Sequence, residues 1–316
     1  MNPTVIASQY GEDVNAQLRA QLPDATVIAV AQGVPVDIPA EATVLLARPF
    51  LRPGSLERPE RPAGWPHRLQ WVHLSSSGID AYPEWFFEAP SVTTARGSAS
   101  VAVAEFALAA IFAGAKRFPD VWIDNPEQWR PSTLRLVGGS VLGIVGFGAI
   151  GSELATRALA LGLEVIALNR SGAPFEVAGV QRAESLEALF AQADHVVLAA
   201  PATADTHHLV NRELLALAKP GLHLINIARG SLIDERALIE ALDAGRLGLA
   251  TLDVSQVEPA PADHPFYSHP RIRLSPHISP STPELWSNVL NQFTDKLQRF
   301  SQGEPLAQPV DIARGY

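Results

Sequence analysis

The sequence predicts an α/β protein built from two doubly wound parallel-sheet domains that flank a cleft. Three observations lead there: the length of 316 residues, short apolar runs that alternate with helical stretches, and a glycine-rich turn between one such run and a helix. The length favours two domains, since a typical domain has about 100–200 residues. Strands that alternate with helices favour parallel sheets covered on both faces.

Composition and charge indicate a globular protein and exclude several partners. Apolar residues make up 47% and charged residues 18%, and 24 Lys and Arg against 33 Asp and Glu give a net charge of −9. An acidic protein binds nucleic acid or an anionic membrane poorly. The chain contains no cysteine, so disulfides and thiolate metal sites are excluded. No signal peptide or membrane span is recognisable, and we expect a cytoplasmic protein with a small-molecule partner.

The first hundred residues carry a short β/α alternation. A helix is predicted at 14–22, and buried strands at 26–30, 42–47, 69–74 and 91–94. A helix at 283–300 follows the last predicted strand and is expected to cross back to this region. The predicted division is residues 1–96 with 283–316 in one domain and 97–282 in the other.

An alanine-rich run at 98–118 predicts a long helix. Its apolar residues nearly surround the axis, so the helix should be buried between layers or at an interface. We expect it to form the interface of a homodimer. Glu105 interrupts the run and is either a buried, paired carboxylate or a catalytic one.

A more regular β/α pattern begins at Ser140. The predicted strands are 141–145, 164–168, 195–199, 222–227, 249–254 and 272–274, and the predicted helices are 150–161, 186–191, 212–217 and 235–244. Asn211 and Asp234 are expected to cap their helices, and Gly245 to end one.

The turn after the first of these strands predicts a dinucleotide site. It consists of Gly146, Phe147, Gly148, Ala149, Ile150 and Gly151. Between a strand and a helix, the first glycine allows a tight turn, the second lets backbone N–H groups approach a pyrophosphate, and the third allows close packing. The helix N-terminus adds a favourable dipole for the anion. The alternative is an ordinary strand–helix turn.

The end of the second strand distinguishes the two nicotinamide dinucleotides. An acidic residue there would bond the ribose 2′-hydroxyl of NAD(H), but the chain has Asn169, Arg170 and Ser171. Arg170 can pair with the 2′-phosphate of NADP(H), and its two neighbours can donate hydrogen bonds to it. NADP(H) is therefore the predicted cofactor, with NAD(H) possible. The alternative is that Arg170 is an ordinary surface charge.

Three later stretches place polar side chains just beyond predicted strands. They are Asn226-Ile227-Ala228-Arg229-Gly230, Asp253-Val254-Ser255-Gln256-Val257-Glu258-Pro259 and Ser275-Pro276-His277-Ile278. In a parallel sheet, Arg229, Glu258 and His277 would gather at the carboxyl edge, where such folds bind ligands.

With the glycine-rich turn, these stretches resemble the D-isomer-specific 2-hydroxyacid dehydrogenases, most of all the NADP-dependent glyoxylate/hydroxypyruvate reductases. The resemblance runs from about Leu69 to Val310. It implies a Rossmann cofactor domain at 97–282 and a flavodoxin-like substrate domain in the remainder. It also implies transfer of a hydride from NADPH to a small 2-keto acid, such as glyoxylate or hydroxypyruvate, to give the D-2-hydroxy acid.

Reduction of a 2-keto acid needs a hydride at the carbonyl carbon and a proton at its oxygen. His277 is suited to donate the proton, because an unperturbed imidazole titrates near about 6.5. Glu258 would accept a hydrogen bond from the other ring nitrogen. Arg229 would hold the carboxylate and polarise the carbonyl. The alternative for each residue is a loop or capping role.

The resemblance implies further contacts. The cofactor would also meet Pro201, Thr206, Ala228 and Asp253, with Asp253 at the nicotinamide amide. The substrate would meet the backbone N–H groups of Ser77 and Gly78. Trp286 either lines the substrate pocket or packs at a domain interface. No metal is expected, because the adjacent His207 and His208 should point different ways and no carboxylate cluster accompanies them.

A second function stays open at this point. Some relatives of the family act as corepressors, so the alternative is a dinucleotide-sensing binding protein with little turnover. Reduction of 2-keto acids distinguishes the two.

Overall fold

The computed structural model describes residues 4–52, 54–55 and 57–314. The chain divides into two compact units, unit 1 (Met1–Ser98 with Thr282–Tyr316) and unit 2 (Ala99–Ser281). Each unit holds one sheet, of five strands in unit 1 and seven in unit 2. All neighbouring strands pair in parallel. The predicted α/β class with two parallel sheets is confirmed.

The sheet of unit 1 has the strand order β2-β1-β3-β4-β5. Its elements are β1 Val5–Ser8, α1 Glu12–Gln21, β2 Thr26–Ala29, β3 Val44–Ala47, β4 Trp71–Leu74 and β5 Val92–Thr94. This is the flavodoxin-like order, in which β2 lies on one side of β1 and the later strands are added on the other side. Strand β1 is absent from the sequence prediction, although it pairs with both β2 and β3.

A late helix, α7 (Leu285–Ser301), completes unit 1. Leu290, Phe293 and Leu297 are buried in one cluster with Ile6 and Trp71. The Phe293 ring stacks on Trp71 with 5.1 Å between ring centroids. Helix α7 therefore packs against the first sheet, as the sequence predicts.

The sheet of unit 2 has the strand order β12-β11-β10-β9-β6-β7-β8. Its strands are β6 Val141–Val145, β7 Glu164–Leu168, β8 Gln181–Arg182, β9 His195–Leu198, β10 Leu222–Asn226, β11 Leu247–Leu252 and β12 Ile272–Leu274. Its helices are α2 Ser100–Lys116, α3 Ala149–Ala160, α4 Leu186–Gln192, α5 Arg212–Leu217 and α6 Glu235–Asp243. The strand order reverses between β6 and β9, and ligands bind at the carboxyl edge of such a switch point.

The helix ends of unit 2 follow from side-chain chemistry. The Asn211 side chain accepts a hydrogen bond from the Leu214 N–H at 2.9 Å. Asp234 accepts from the N–H groups of Arg236 and Ala237 at 3.1 Å each. Gly245 adopts φ +71° just after α6, as a left-handed C-terminal stop does.

Helix α2 packs within unit 2 along only part of its surface. Val103, Ala107 and Ile111 are buried in the core of this unit. Glu105 is exposed, so the expectation of a buried, paired carboxylate is wrong; the side chain lies on the face that the core does not cover. Within the described residues, every helix is too short or too polar to cross a bilayer.

Buried histidines at the amino edge of unit 2 predict loss of stability in acid. Burial lowers the pKa of His195 to about 4 and of His223 to about 3. An unfolded histidine takes up its proton near about 6.5, so below that pH the unfolded chain binds more protons than the native protein. The free energy of unfolding should then fall as the pH drops from 7 towards 4.

Urea unfolding of the wild type and of His223→Gln over this pH range tests the prediction. Glutamine can keep the hydrogen bond that His223 Nε2 shares with Thr251 Oγ1 at 2.9 Å, but it does not titrate. The stability difference between the two proteins should shrink as the pH falls. Parallel curves would contradict the prediction.

Candidate active site

The glycine-rich turn joins β6 to α3 at the carboxyl edge of the unit 2 sheet. Gly146 adopts φ +96°, and a Cβ there would lie 2.6 Å from the backbone nitrogen of Ala200. A Cβ on Gly151 would lie 2.6 Å from the Gly146 carbonyl oxygen. Space therefore requires glycine at both positions, and conformation requires it at the first. The first turn of α3 lies beside this edge, in the arrangement that binds a pyrophosphate.

The turn after β7 has a fixed shape. The Asn169 amide donates to the Ala173 carbonyl at 3.0 Å. The Ala173 N–H donates to the Ser171 hydroxyl at 3.3 Å. Arg170 is exposed between them. The three residues predicted for the adenosine 2′-phosphate thus belong to one short, internally bonded turn.

His277 and Glu258 are in direct contact. His277 Nδ1 lies 2.8 Å from Glu258 Oε2. The imidazole is 32% exposed and the carboxylate 16%, so the ring can reach a ligand while the carboxylate is mostly shielded. Because Nδ1 faces Glu258, Nε2 is the ring atom that can serve a substrate.

Asp253 anchors the loop that carries His277. Its Oδ1 accepts hydrogen bonds from the Ser275 hydroxyl at 2.6 Å and the Ile278 N–H at 2.9 Å. Its Oδ2 accepts from the Ser279 N–H at 2.8 Å. His277 adopts φ +54° within this loop. A carboxylate has about four lone-pair positions, so these three bonds use most of them.

Gly230 brings the Arg229 turn against the loop that carries Glu258. A Cβ at position 230 would overlap the backbone of Ser255. The Ser255 N–H in turn donates to Glu258 Oε1 at 3.3 Å, and Glu235 Oε1 holds the Gln256 N–H at 2.8 Å. Only glycine permits this approach, which brings two predicted site segments side by side.

The backbone of Arg229 is held by the buried side-chain amide of Asn226. Asn226 is 0% exposed, its Nδ2 donates to the Arg229 carbonyl at 2.8 Å, and its Oδ1 accepts from the Ala228 N–H at 3.0 Å. The Arg229 guanidinium donates to the Ala228 carbonyl at 2.8 Å. Arg229, Glu258 and His277 follow β10, β11 and β12, which are neighbours, so all three lie at one edge of the sheet.

The segment after β9 has a bonded turn of its own. The Thr206 hydroxyl donates to the Pro201 carbonyl at 2.7 Å and accepts from the Thr203 N–H at 2.8 Å. His207 and His208 do not point apart as expected. Their rings stack with 4.0 Å between centroids, because φ +50° at His208 turns its side chain back over its neighbour. Among the described residues, no group of three acidic or histidine side chains could hold a metal.

The residues predicted for the substrate in unit 1 lie near the carboxyl ends of its strands. The Ser76 hydroxyl donates to the Gly78 carbonyl at 2.7 Å, which shapes the Ser77–Gly78 turn. The Trp286 ring meets Tyr10 edge-on, 5.0 Å between centroids. The Tyr10 hydroxyl is hydrogen-bonded to that of Ser75, and burial raises its pKa to about 12.

Comparison with known proteins assigns the family. Residues 108–279 match the family model described as D-isomer specific 2-hydroxyacid dehydrogenase, NAD binding domain. That match covers more than half of the 316 residues. The chain belongs to the D-isomer specific 2-hydroxyacid dehydrogenase family. It is therefore an NAD(P)-dependent oxidoreductase, as the sequence predicted.

Members of this family differ in how much of their length the chain matches. Glyoxylate/hydroxypyruvate reductase A of Serratia proteamaculans is 32% identical over 262 residues, which are 79% of this chain and 82% of that protein. D-3-phosphoglycerate dehydrogenase of Bacillus subtilis is 39% identical over 180 residues, 55% of this chain but 33% of that protein. A solved 2-hydroxyacid dehydrogenase from Xanthobacter autotrophicus Py2, in complex with NADPH and MES, aligns over 100% of both chains with TM-score 0.83 and 26% identity.

Several residues that contact the candidate site residues were missed by the sequence analysis. Asn226 carries a signal, since it is a polar residue at the end of an apolar strand and the first residue of the Arg229 motif. Tyr10 and Arg182 carry none, because their contacts depend on how separate segments meet in space. Arg182 NH1 donates to Asn169 Oδ1 at 2.9 Å, from the edge strand β8.

Proposed function

We propose that the protein reduces a small 2-keto acid of the glyoxylate or hydroxypyruvate kind to the D-2-hydroxy acid, with NADPH as the preferred hydride donor. The observation that carries the proposal is the 2.8 Å contact between His277 Nδ1 and Glu258 Oε2, with Arg229 at the same sheet edge. Two relatives support it: the matched Serratia protein is a glyoxylate/hydroxypyruvate reductase, and the Xanthobacter structure contains NADPH.

The cofactor would lie along the carboxyl edge of unit 2. The glycine-rich turn would bind its pyrophosphate through backbone N–H groups. Glycine is required at positions 146 and 151, because Cβ atoms there would meet backbone atoms at 2.6 Å. Arg170, with its two neighbours in the turn, would hold the 2′-phosphate. Pro201, Thr206 and Ala228 would line the cofactor, with Asp253 at the nicotinamide amide. When bound, NADPH supplies the hydride.

The protein's own side chains bind the substrate and supply the proton. Arg229 binds the substrate carboxylate and polarises the carbonyl group. As the hydride reaches the carbonyl carbon, His277 Nε2 donates a proton to the oxygen, and the alcohol forms. Glu258 keeps its hydrogen bond at Nδ1 and stabilises the ring in its charged form. Ser77 and Gly78 of unit 1 are proposed to offer backbone N–H groups to a carboxylate.

We also propose a cytoplasmic homodimer. The largest exposed apolar side chains of unit 2 lie after α2, in the segment 118–136. Trp122 is 68% exposed, Trp129 82% and Leu136 80%. Clustered exposed apolar groups of this size favour burial against another protein surface, and a second copy of the chain is the partner that the family resemblance suggests.

Replacing Arg170 with alanine is expected to lower kcat/KM for NADPH about 10-fold to 100-fold, the range for a lost hydrogen bond to a charged group. The value for NADH should change by less than about twofold, since NADH lacks the 2′-phosphate. Initial rates with glyoxylate, hydroxypyruvate, pyruvate and phenylpyruvate give kcat/KM for NADPH and for NADH. Arg236→Ala is the matched control, because Arg236 is 87% exposed on α6.

Equal losses for both cofactors, or none, would overturn the proposed NADPH preference. Tight NADPH binding without turnover of any of the four acids would overturn the reductase itself. In that case, the dinucleotide-sensing alternative would explain the site better.

A further inference from the structure

Arg182 joins β8 to the turn after β7. Backbone pairing sets Arg182 opposite Ala167, the residue before the last residue of β7. Its NH1 donates to Asn169 Oδ1 at 2.9 Å, and its NH2 donates to the Ala173 carbonyl. One guanidinium thus holds both ends of the five-residue turn that contains Arg170 and Ser171.

The same guanidinium is part of an aromatic stack. Its Cζ lies 4.4 Å from the centroid of the Phe175 ring. Phe175 in turn meets Phe147, with 4.4 Å between ring centroids. Phe147 is the second residue of the glycine-rich turn. Arg182 therefore connects the two segments that would hold the pyrophosphate and the 2′-phosphate of one cofactor.

An arginine is suited to this position in a way that other cations are not. Its planar fork can serve two acceptors at once while its face lies on an aromatic ring. A lysine ammonium carries the same charge but cannot do both. Without the fork, Asn169 Oδ1 and the Ala173 carbonyl lose a shared donor, and the turn that carries Arg170 is less constrained.

We propose that Arg182 is a positioning residue that determines the preference for NADP(H) over NAD(H). It fixes the turn 169–173 so that Arg170 and Ser171 meet the 2′-phosphate together. This inference rests on the proposed NADPH preference. The side-chain hydrogen bonds of Arg182 go to this turn alone among the described contacts, and Arg182 reaches the glycine-rich turn only indirectly, through the Phe175 and Phe147 rings. Its loss should therefore affect the 2′-phosphate site more than the pyrophosphate site.

Calorimetric binding of two cofactor fragments tests the proposal without any turnover. Adenosine 2′,5′-bisphosphate carries the 2′-phosphate, and adenosine 5′-monophosphate does not. The wild type should bind the bisphosphate more tightly. Arg182→Gln should weaken bisphosphate binding about tenfold, because the displaced turn would lose one charged hydrogen bond from Arg170 or Ser171 to the 2′-phosphate. Binding of the 5′-monophosphate should weaken by less than about twofold. Arg182→Lys should lose most of the discrimination as well, because the fork and the stack are lost.

The outcomes separate the two proposals. Arg236→Gln should behave as the wild type and controls for the loss of an exposed charge. If the wild type discriminates between the fragments and Arg182→Gln discriminates equally well, the role of Arg182 is overturned while the NADPH preference stands. Full discrimination in Arg182→Lys would likewise overturn the positioning role, since charge alone would then suffice. A wild type without discrimination overturns the NADPH preference.

Discussion

Replacement of His277 by asparagine is expected to lower kcat for 2-keto-acid reduction by about 10²-fold to 10⁴-fold, the usual contribution of a general acid. Asparagine tolerates the left-handed conformation that His277 adopts at φ +54°, so the loop should keep its shape. It cannot give a proton to the alkoxide that forms as the hydride arrives. NADPH binding, followed by cofactor fluorescence, should stay within about twofold of the wild type, because the proposed proton donor is not part of the pyrophosphate site.

His269→Asn is the matched control for this variant. His269 precedes β12 at the opposite, amino edge of the sheet, and its ring contacts Asp243 at 3.3 Å. Its replacement should leave kcat nearly unchanged. A His277→Asn enzyme with wild-type kcat would show that another group donates the proton.

Replacement of Arg229 by glutamine is expected to lower kcat/KM by about 10²-fold to 10³-fold, as losses of a group that stabilises a developing oxyanion do. Arg229→Lys should recover little of it, because an ammonium cannot bind a carboxylate through two parallel hydrogen bonds. Neither substitution removes the hydrogen bond that the Asn226 amide donates to the backbone carbonyl of residue 229 at 2.8 Å. The turn should therefore persist, and the loss should appear in substrate kinetics.

The matched control here is Arg246→Gln. Arg246 lies just before β11, at the amino edge of the sheet, where it donates to the Ala216 carbonyl at 3.4 Å. Its kinetics should match those of the wild type. If Arg229→Gln kept the wild-type kcat/KM for glyoxylate and hydroxypyruvate, the proposed substrate orientation would be wrong.

Much of unit 2 was predictable because most of its strands are short, mainly apolar runs. The inner strands β6 and β7 and the edge strand β12 begin and end at the predicted residues. Strand β11 ends at Leu252 rather than at the predicted Val254, which is buried but follows the last strand pairing. The prediction extended the strand too far because the loop that leads to Glu258 also contains a buried apolar residue.

Two strands are absent from the sequence prediction. β1, Val5–Ser8, begins with three apolar residues and was missed, although it is no shorter than β2, β3, β4 or β9. β8 consists of the exposed residues Gln181 and Arg182, and its place follows from backbone pairing with β7 alone. The contact between Arg182 and Asn169 was therefore invisible in the sequence, although the two residues are only thirteen positions apart.

The candidate site shows the same division. The position of Arg229, Glu258 and His277 at one edge of the sheet could be predicted, because each follows a predicted strand inside a recognisable motif. The groups that hold them could not. The three hydrogen bonds at the Asp253 carboxylate and the close approach of Gly230 to Ser255 depend on how separate loops meet in space.

The position of α7 also sets the order in which the two units can be completed during synthesis. Ile6 and Trp71 are made early, but Leu290, Phe293 and Leu297, which cover them, follow all 183 residues of unit 2 (281 − 98). At about 5–20 residues per second, roughly 10–40 s of translation separate the two segments. Unit 2 can fold as it leaves the ribosome, while the apolar face of the earlier sheet waits for its covering helix. The nascent first unit is thus the part of the chain with the greater need of a chaperone.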